Sequence, residues 1–552
     1  MVQVAQTVLS ALSIFRWLHD APQATPGPNQ QTPIVSNIVA SADTSKSIAI
    51  VGAGSGGLAI LKTLLDFPED IRSSWDIVLY EQRRDVGGLW LPDPNPPHPP
   101  TLPETPLYPR LRTNTPHPTM TYPGSTFPPG TPLFPTHDFV QQYHADFAEE
   151  HNLTGYIHFN HTVLAAGWNG TRDEGKWLLD IGRTDVPPDT NETPLQRTFD
   201  HLVIANGHNH YPRIPHWPGE EDWLANTPQG SPKREILHSI FYREPEKYAN
   251  RTVIIVGGGA SGRDAALQVG PLATSLKEGS IPPDGAQVTP KPPISHFTSS
   301  LVVFTDGSTL ASVDALILAT GYEFRVPFLN RIPHNSGIKS PALITDANTL
   351  DNSTSAHTLT SNLRYIFPLY EHVFSLSSDY PPTALAFIGL PVLIGTTPQL
   401  IANCPSDRAQ SLFVSHAIAD PRTLPSRTEM FSSLIERENT LRQLGLDPYI
   451  VGHKMQGGDS EAQQYQNRLV RYLKKVGKLP DDGIDYVEPW RKMARNESQL
   501  LARAWQRVES TGEQQKWLDG IETEQEWADL MYKLADWQAQ WEQQHGKAAD
   551  VY

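Results

Sequence analysis

The sequence predicts an α/β protein built on two Rossmann-like dinucleotide-binding domains and completed by a helical C-terminal extension. Three observations carry that prediction. Two apolar runs of strand length, residues 48–51 and Val253–Val256, each lead into a G-x-G-x-x-G turn that continues as a helix. Past residue 425 the composition turns polar and helical, and the last helical stretch keeps an apolar stripe.

Composition bounds the possibilities. With 552 residues, 38% of them hydrophobic and 19% charged, the chain has material for two or three domains with cores of their own, and a disordered protein is excluded. A formal charge of −16 with no long basic run argues against a nucleic-acid partner. The single cysteine, Cys404, leaves no intrachain disulfide and no C-x-x-C redox pair. No metal site is expected, since His and Cys show no metal-ligand spacing and H-E-x-x-H is absent, as is G-x-S-x-G.

Residues 1–45 read as a flexible N-terminal extension. Their first 18 residues are moderately apolar, but no basic residue precedes the apolar part and the stretch is too short to span a bilayer. No segment of spanning length occurs elsewhere, so a cytoplasmic protein is expected. Seven N-x-S/T sequons, at Asn152, Asn160, Asn169, Asn191, Asn250, Asn352 and Asn496, keep a secretory route or a membrane surface as a minor alternative.

The first domain should begin at 46 and run to 226. Gly52 makes the tight turn, Gly54 lets backbone N–H groups approach a pyrophosphate, and Gly57 lets helix pack on strand, with Gly56 between them. Leu58, Leu61 and Leu65 give the helix one apolar face. Glu81 ends the next strand 24 residues after Gly57, where a carboxylate can accept hydrogen bonds from both ribose hydroxyls. Asp85-Val86-Gly87-Gly88-Leu89-Trp90 follows. Residues 92–135 hold 16 prolines, which forbids helices and ladders and leaves an ordered wrap over the first domain or a partly mobile lid. Phe139, Tyr143 and Phe147 then mark one face of a helix, and short strands are expected near 157–163, 177–181 and 201–205, with Val163 as a further contact of the first site.

The second domain should span 227–314, with Gly257, Gly259, Ser261 and Gly262 at its turn and a hairpin at Asp306-Gly307. The buried run 315–319, ending in Thr320-Gly321-Tyr322, is expected to return the chain to the first domain, over 315–424. Residues 425–552 form the helical tail. There Thr523 and Glu526 make a capping box, and Trp527, Leu530, Met531, Leu534, Trp537 and Trp541 share one face, read as a brace, with a homodimer or membrane contact as its lesser use.

These motifs resemble the flavin-containing monooxygenases, class B flavoprotein monooxygenases, and in layout the shorter fungal-type members. The resemblance covers roughly residues 46–420. It rests on the first turn with Glu81 and GGLW, LRTNTPHPTMTYPG at 111–124, LHSIFYRE at 237–244, the second turn, LILATGYEFRVPF at 316–328 and LAFIGLP at 385–391. It implies FAD at the first turn, with Gly88, Leu89 and Trp90 beside the flavin, and NADPH at the second. The implied activity is an oxidoreductase of the N,N-dimethylaniline monooxygenase type. NADPH would reduce FAD, dioxygen would give a flavin C4a-hydroperoxide, and an amine nitrogen or sulfide sulfur would be oxygenated. Asn114 aligns with the family's active-site asparagine.

The chain also departs from the family. In the fingerprint F-x-G-x-x-x-H-x-x-x-Y/F, His238 and Tyr242 are in place, but Pro232 stands for Phe and Arg234 for Gly. His238 reads as a structural hinge. Arg408 replaces the usual Glu before Ala409-Gln410, and Tyr242-Arg243 disfavours the Baeyer–Villiger subclass. Two alternatives follow: an NADPH oxidase or uncoupled flavoenzyme of the same fold, and a non-catalytic flavoprotein with a degenerate nicotinamide site. For NADPH over NADH, the cations within reach are Arg263 and Lys277, the latter beside Glu278.

Overall fold

A computed structural model of the chain describes residues 45–186, 193–269, 272–275, 288–349, 358–392, 403–455 and 461–547. The N-terminal extension before residue 45, the Lys277-Glu278 pair and the sequons at Asn191 and Asn352 lie outside the described residues.

Strand β1 (Lys46–Val51) sits inside a seven-stranded sheet, paired in parallel with β2 (Trp75–Tyr80) on one side and β3 (His201–Ile204) on the other. Beyond β3 come Leu385–Phe387, Phe374–Ser375 and Leu369–Tyr370, and beyond β2 comes Ile157–His158. Both faces of β1 are covered, which is why its run is apolar throughout rather than alternating. Ile48 and Ile50 face helix α1 (Ser55–Leu65), whereas Ala49 and Val51 join Val78, Tyr80, Trp177 and Phe199 in the core on the opposite face. That second face is roofed by the antiparallel strands His161–Asn169, Lys176–Arg183 and Leu195–Phe199.

The second sheet has five strands. Its β4 (Val253–Val256) leads to helix α2 (Ala260–Val269) and lies between Leu272–Ser275 and β5 (Ala315–Leu318), with Val288–Lys291 and Glu235–His238 outermost. Here the structure corrects the expected return of the chain. β5 pairs in parallel with both β4 and Glu235–His238, so it belongs to the second sheet, and the chain crosses back only after it. A four-residue apolar strand looks the same whichever sheet buries it; only its registered neighbours decide. The expected hairpin is present, with Leu301–Phe304 antiparallel to Thr309–Ala311.

The proline-rich segment is an ordered wrap. It doubles back on itself through Thr113 N to Pro135 O (2.9 Å), His117 N to Leu133 O (3.0 Å) and His137 N to Leu111 O (3.2 Å). Helix α3 (Asn403–Ala419) lies against α1. The tail supplies α4 (Pro489–Asn496), α5 (Ser498–Thr511) and α6 (Glu524–His545), and α6 starts with the Thr523–Glu526 capping box. Trp527, Leu530, Met531 and Leu534 pack against α5 and against Leu133 and Phe134 of the wrap, so the stripe is a brace. Among the described residues no helix is long and apolar enough to cross a membrane.

Candidate functional site

The glycines of the first turn are of two kinds. Gly52 adopts a φ of +102°, and a β-carbon there would lie 2.6 Å from Ala205 O. A β-carbon on Gly57 would lie 1.8 Å from Gly52 O. Gly56 is tight against Ile388, at 3.0 Å. Gly52 and Gly57 are demanded by the polypeptide itself, and Gly56 is favoured by it. Gly54 is not. Its backbone is extended (φ −77°, ψ −170°), and the nearest protein atom to a β-carbon would be Gly88 Cα, at an ordinary 3.5 Å. Glycine at 54 therefore answers to something brought against the backbone from outside, at the point where the first N–H groups of α1 have no intrahelical acceptor. The space and the donors suit a dinucleotide pyrophosphate.

Glu81 is only 5% exposed. Its Oε2 accepts from Ala53 N (2.6 Å) and its Oε1 from Arg83 N (2.8 Å), while burial pushes its carboxyl up from the usual range. Oε2 thus spends a lone pair on the turn and Oε1 one on the segment after its own strand, so Glu81 fixes the main chain on both sides as well as offering its remaining lone pairs to a ribose. Gly87 N donates to Ala53 O (3.0 Å), which lays the GGLW element directly on the turn. Gly88, at φ +54°, passes so close that a β-carbon would come within 2.9 Å of Gly54 Cα. Leu89 and Trp90 are half-buried, Leu89 O accepting from Thr105 of the wrap and Trp90 packing on the helix-side core. Val163 is buried in the opposite core, in the strand that follows Glu81's partner segment 158–161.

Sequence reasoning missed Arg83. Its side chain, 7% exposed, donates to Gly88 O (2.8 Å), Leu91 O (2.7 Å) and Pro92 O (3.1 Å) and pairs with Glu104 (2.8 Å). A basic residue two positions past the acidic strand end was the available signal, though it reads equally as a surface charge. Asn114 sits at a bend of the wrap with its side chain exposed.

At the second turn Gly257 (φ +115°) and Gly262 are again structural, their β-carbons falling 2.3 Å from Ala319 O and 2.0 Å from Gly257 O. Around Gly259 no protein atom would lie within 4 Å of a β-carbon, and Gly259 and Ser261 are exposed. This turn too fits a dinucleotide. Arg263, in the first turn of α2, has no ion pair among the described residues, and its Nε is buried without a hydrogen-bond partner. Thr320 Oγ1 donates to Arg213 O, and Gly321 O accepts from Arg213 N (2.9 Å) and from His238 Nε2 (3.1 Å). Because His238 Nδ1 accepts from Ile240 N (3.1 Å), the ring is the Nε2–H tautomer, and burial lowers it to about 4. It stays neutral and ties β5's end to the linker. The wrap reaches the same domain through Tyr108, whose hydroxyl donates to Asp264 of α2.

The departures acquire structural roles. Arg234 is 3% exposed and donates to the carbonyls of Trp223, Asn226, Ser299 and Ser300 while its guanidinium lies 4.7 Å from the Trp223 ring centroid. It is a strut between the linker and the hairpin sheet. Pro232 is exposed, in the irregular stretch before Glu235–His238. Arg408 bonds Thr63 and Asp66 (3.0 Å) at the far end of α1 from the glycines.

A family model described as flavin-binding monooxygenase-like matches residues 45–277 and 285–339. The chain is 26% identical over 474 residues to the flavin-containing monooxygenase FMO GS-OX-like 8 of Arabidopsis thaliana, covering 81% of this chain and 88% of that protein. It is 27% identical over 373 residues to the senecionine N-oxygenase of Tyria jacobaeae, covering 65% and 70%. In fold it is similar to the S-allyl-L-cysteine S-oxygenase of Allium sativum, with a TM-score of 0.63 at 22% identity over 89% of this chain and 99% of that one.

Proposed function

The chain belongs to the flavin-binding monooxygenase-like family, and from that premise we propose that it is an NADPH- and O2-dependent monooxygenase oxygenating a soft nucleophile, an amine nitrogen or a sulfide sulfur. The family uses FAD and NADPH. The observation that carries the reading is the pair of unlike turns: one enclosed by Glu81 and GGLW, the other open at Gly259 and Ser261. FAD, when bound, supplies hydride acceptance from NADPH and activation of dioxygen, so the protein needs no acid–base pair of its own.

The chain's residues bind and orient. Gly52, Gly54, Gly56 and Gly57 with the α1 N-terminus would hold the FAD pyrophosphate, Glu81 the ribose, Val163 the adenosine half, and Gly88, Leu89 and Trp90 the flavin. Gly257, Gly259, Ser261 and Gly262 would hold NADPH, with Arg263 toward its 2′-phosphate. Thr320 and Gly321 join the two sites. Asn114 would hold the reacting oxygen through an amide that both donates and accepts without ionising. Support for a soft nucleophile comes from relatives named for S- and N-oxygenation. The dimethylaniline type and the fungal-type layout rest on the sequence resemblance alone. Arg234 supports an active nicotinamide domain over a degenerate one, since both terminal nitrogens of its guanidinium are engaged as a strut.

The test is NADPH consumption by purified protein against a panel of amines, sulfides and cyclic ketones. N-oxide or sulfoxide formed in step with NADPH is expected; hydrogen peroxide formed in step with NADPH, whatever the substrate, would replace the reading with an oxidase.

A further inference from the structure

One buried carboxyl outside the residues assigned to FAD touches the first turn. Asp407, in α3, is 4% exposed, and its Oδ2 accepts from Ser55 Oγ (2.7 Å), the first residue of α1 after Gly54. Its Oδ1 lies toward Gly389. Gly389 lies two residues past the end of the strand that flanks β3, at φ +84°, and a β-carbon there would meet only Asp407 Oδ1, at 3.6 Å. Asp407 thus spans the α1 N-terminus and the carboxyl edge of the parallel strands, which is where an open α/β sheet binds its ligand. The same Ser55 is held from behind by Tyr122, whose hydroxyl donates to Ser55 O (2.7 Å).

We propose that Asp407 is a binding residue of the FAD site that takes up a proton when the cofactor's pyrophosphate occupies the α1 N-terminus. This rests on the reading that the first turn binds FAD. A carboxylate and a pyrophosphate cannot share one buried helix N-terminus as anions without strong mutual repulsion. A protonated carboxyl removes the repulsion and can itself donate a hydrogen bond.

Burial, partly offset by the hydrogen bond from Ser55, already pushes Asp407 up to about 7, so a second anion needs to shift it only a little further to keep it protonated at neutral pH. Its neighbours do not compete. Cys404 one turn earlier in α3, Tyr122 from the wrap and Tyr486 from the segment before α4 are all raised by burial and stay neutral. Arg408 is turned to Thr63 and Asp66, and Arg491 is paired with Glu488 and Glu524. The sign follows from linkage. Below about pH 7 Asp407 is protonated with or without FAD and affinity is flat; above it, binding must take up a proton and affinity falls as pH rises.

The experiment measures FAD released from the diluted holoprotein by its fluorescence, from about pH 6 to about pH 9. The FAD Kd of the native chain should be constant at the acid end and rise toward about tenfold per pH unit at the alkaline end. Asp407→Asn should flatten the profile. Ser55→Ala, which removes a hydrogen bond that favours the carboxylate, should move the break to higher pH. A native profile that is flat throughout, or an Asn variant that keeps the slope, overturns the proposal. Should Asp407→Asn fail to fold, the native and Ser55→Ala profiles still decide it, an unmoved break counting against. If the purified chain binds no flavin at any pH, the functional reading fails; if it binds flavin with pH-independent affinity, only this inference does.

Discussion

The two glycine turns share a spacing and differ in their surroundings. Around the first, Ala53, Gly56 and Gly57 are buried, Glu81 and Gly87 bond the turn's own main chain, Gly88 passes over Gly54, and Asp407 closes the Ser55 side. Around the second, Gly259, Ala260 and Ser261 are exposed and α2 offers its N-terminus to solvent. A ligand enclosed by several chain segments leaves only when they move, whereas one lying on an open helix end exchanges freely. On the proposed function, the contrast would separate a resident cofactor from a reductant that arrives and departs in every cycle.

Within each turn a second contrast, between glycines the fold needs and glycines a ligand needs, makes the comparison breakable. The largest effect is expected for Gly57→Val, whose side chain would collide with Gly52 O. The chain should lose more than about 4 kcal/mol and yield little folded protein in thermal melts, with or without FAD. Gly54→Val should instead fold and melt near the native temperature but lose flavin affinity on the order of 10³-fold, read by ultrafiltration. Retention of stoichiometric flavin in that variant would remove the ligand argument for Gly54. Gly259→Val should keep its flavin and slow anaerobic reduction by NADPH by about 10²-fold; expulsion of FAD would mean that the two sites are reversed.

Asn114→Ala leaves both turns intact. Reduction by NADPH should stay near the native rate while oxygenation falls by about 10²-fold and hydrogen peroxide is released, the scale of losing one preorganised donor. An unchanged product yield would make Asn114 an ordinary turn residue. The smallest effect is expected for Arg263→Ala, which should raise the KM for NADPH by about tenfold and leave that for NADH unchanged, as for one lost charge-assisted hydrogen bond. Equal shifts for both nicotinamides would assign the 2′-phosphate to another group.

What was legible in the sequence was local. Glycine spacing, apolar runs and the Thr523–Glu526 capping box are set by residues a few positions apart, and each is found where expected. Three of the sequon asparagines, Asn152, Asn160 and Asn250, prove to be left-handed turn residues, a conformation asparagine tolerates. What was hidden depends on distant pairing. The sheet that owns β5 is chosen by Glu235–His238, some 80 residues earlier. Arg234 looked like a damaged fingerprint because two of its four acceptors, the carbonyls of Ser299 and Ser300, come from a loop more than 60 residues on. Asp407 meets Ser55 across 352 residues, and nothing near either announces the other.

The central claim, a resident flavin in the first turn and an exchanging nicotinamide in the second, is tested most directly by one anaerobic titration. Protein loaded with both nucleotides is passed through gel filtration, its bound nucleotides are counted, and NADPH is then added without oxygen while the visible flavin absorbance is followed. About one FAD per chain after the column, no retained nicotinamide, and complete bleaching by one equivalent of NADPH are expected. Retained nicotinamide with lost flavin, or a flavin that NADPH leaves oxidised, would contradict it.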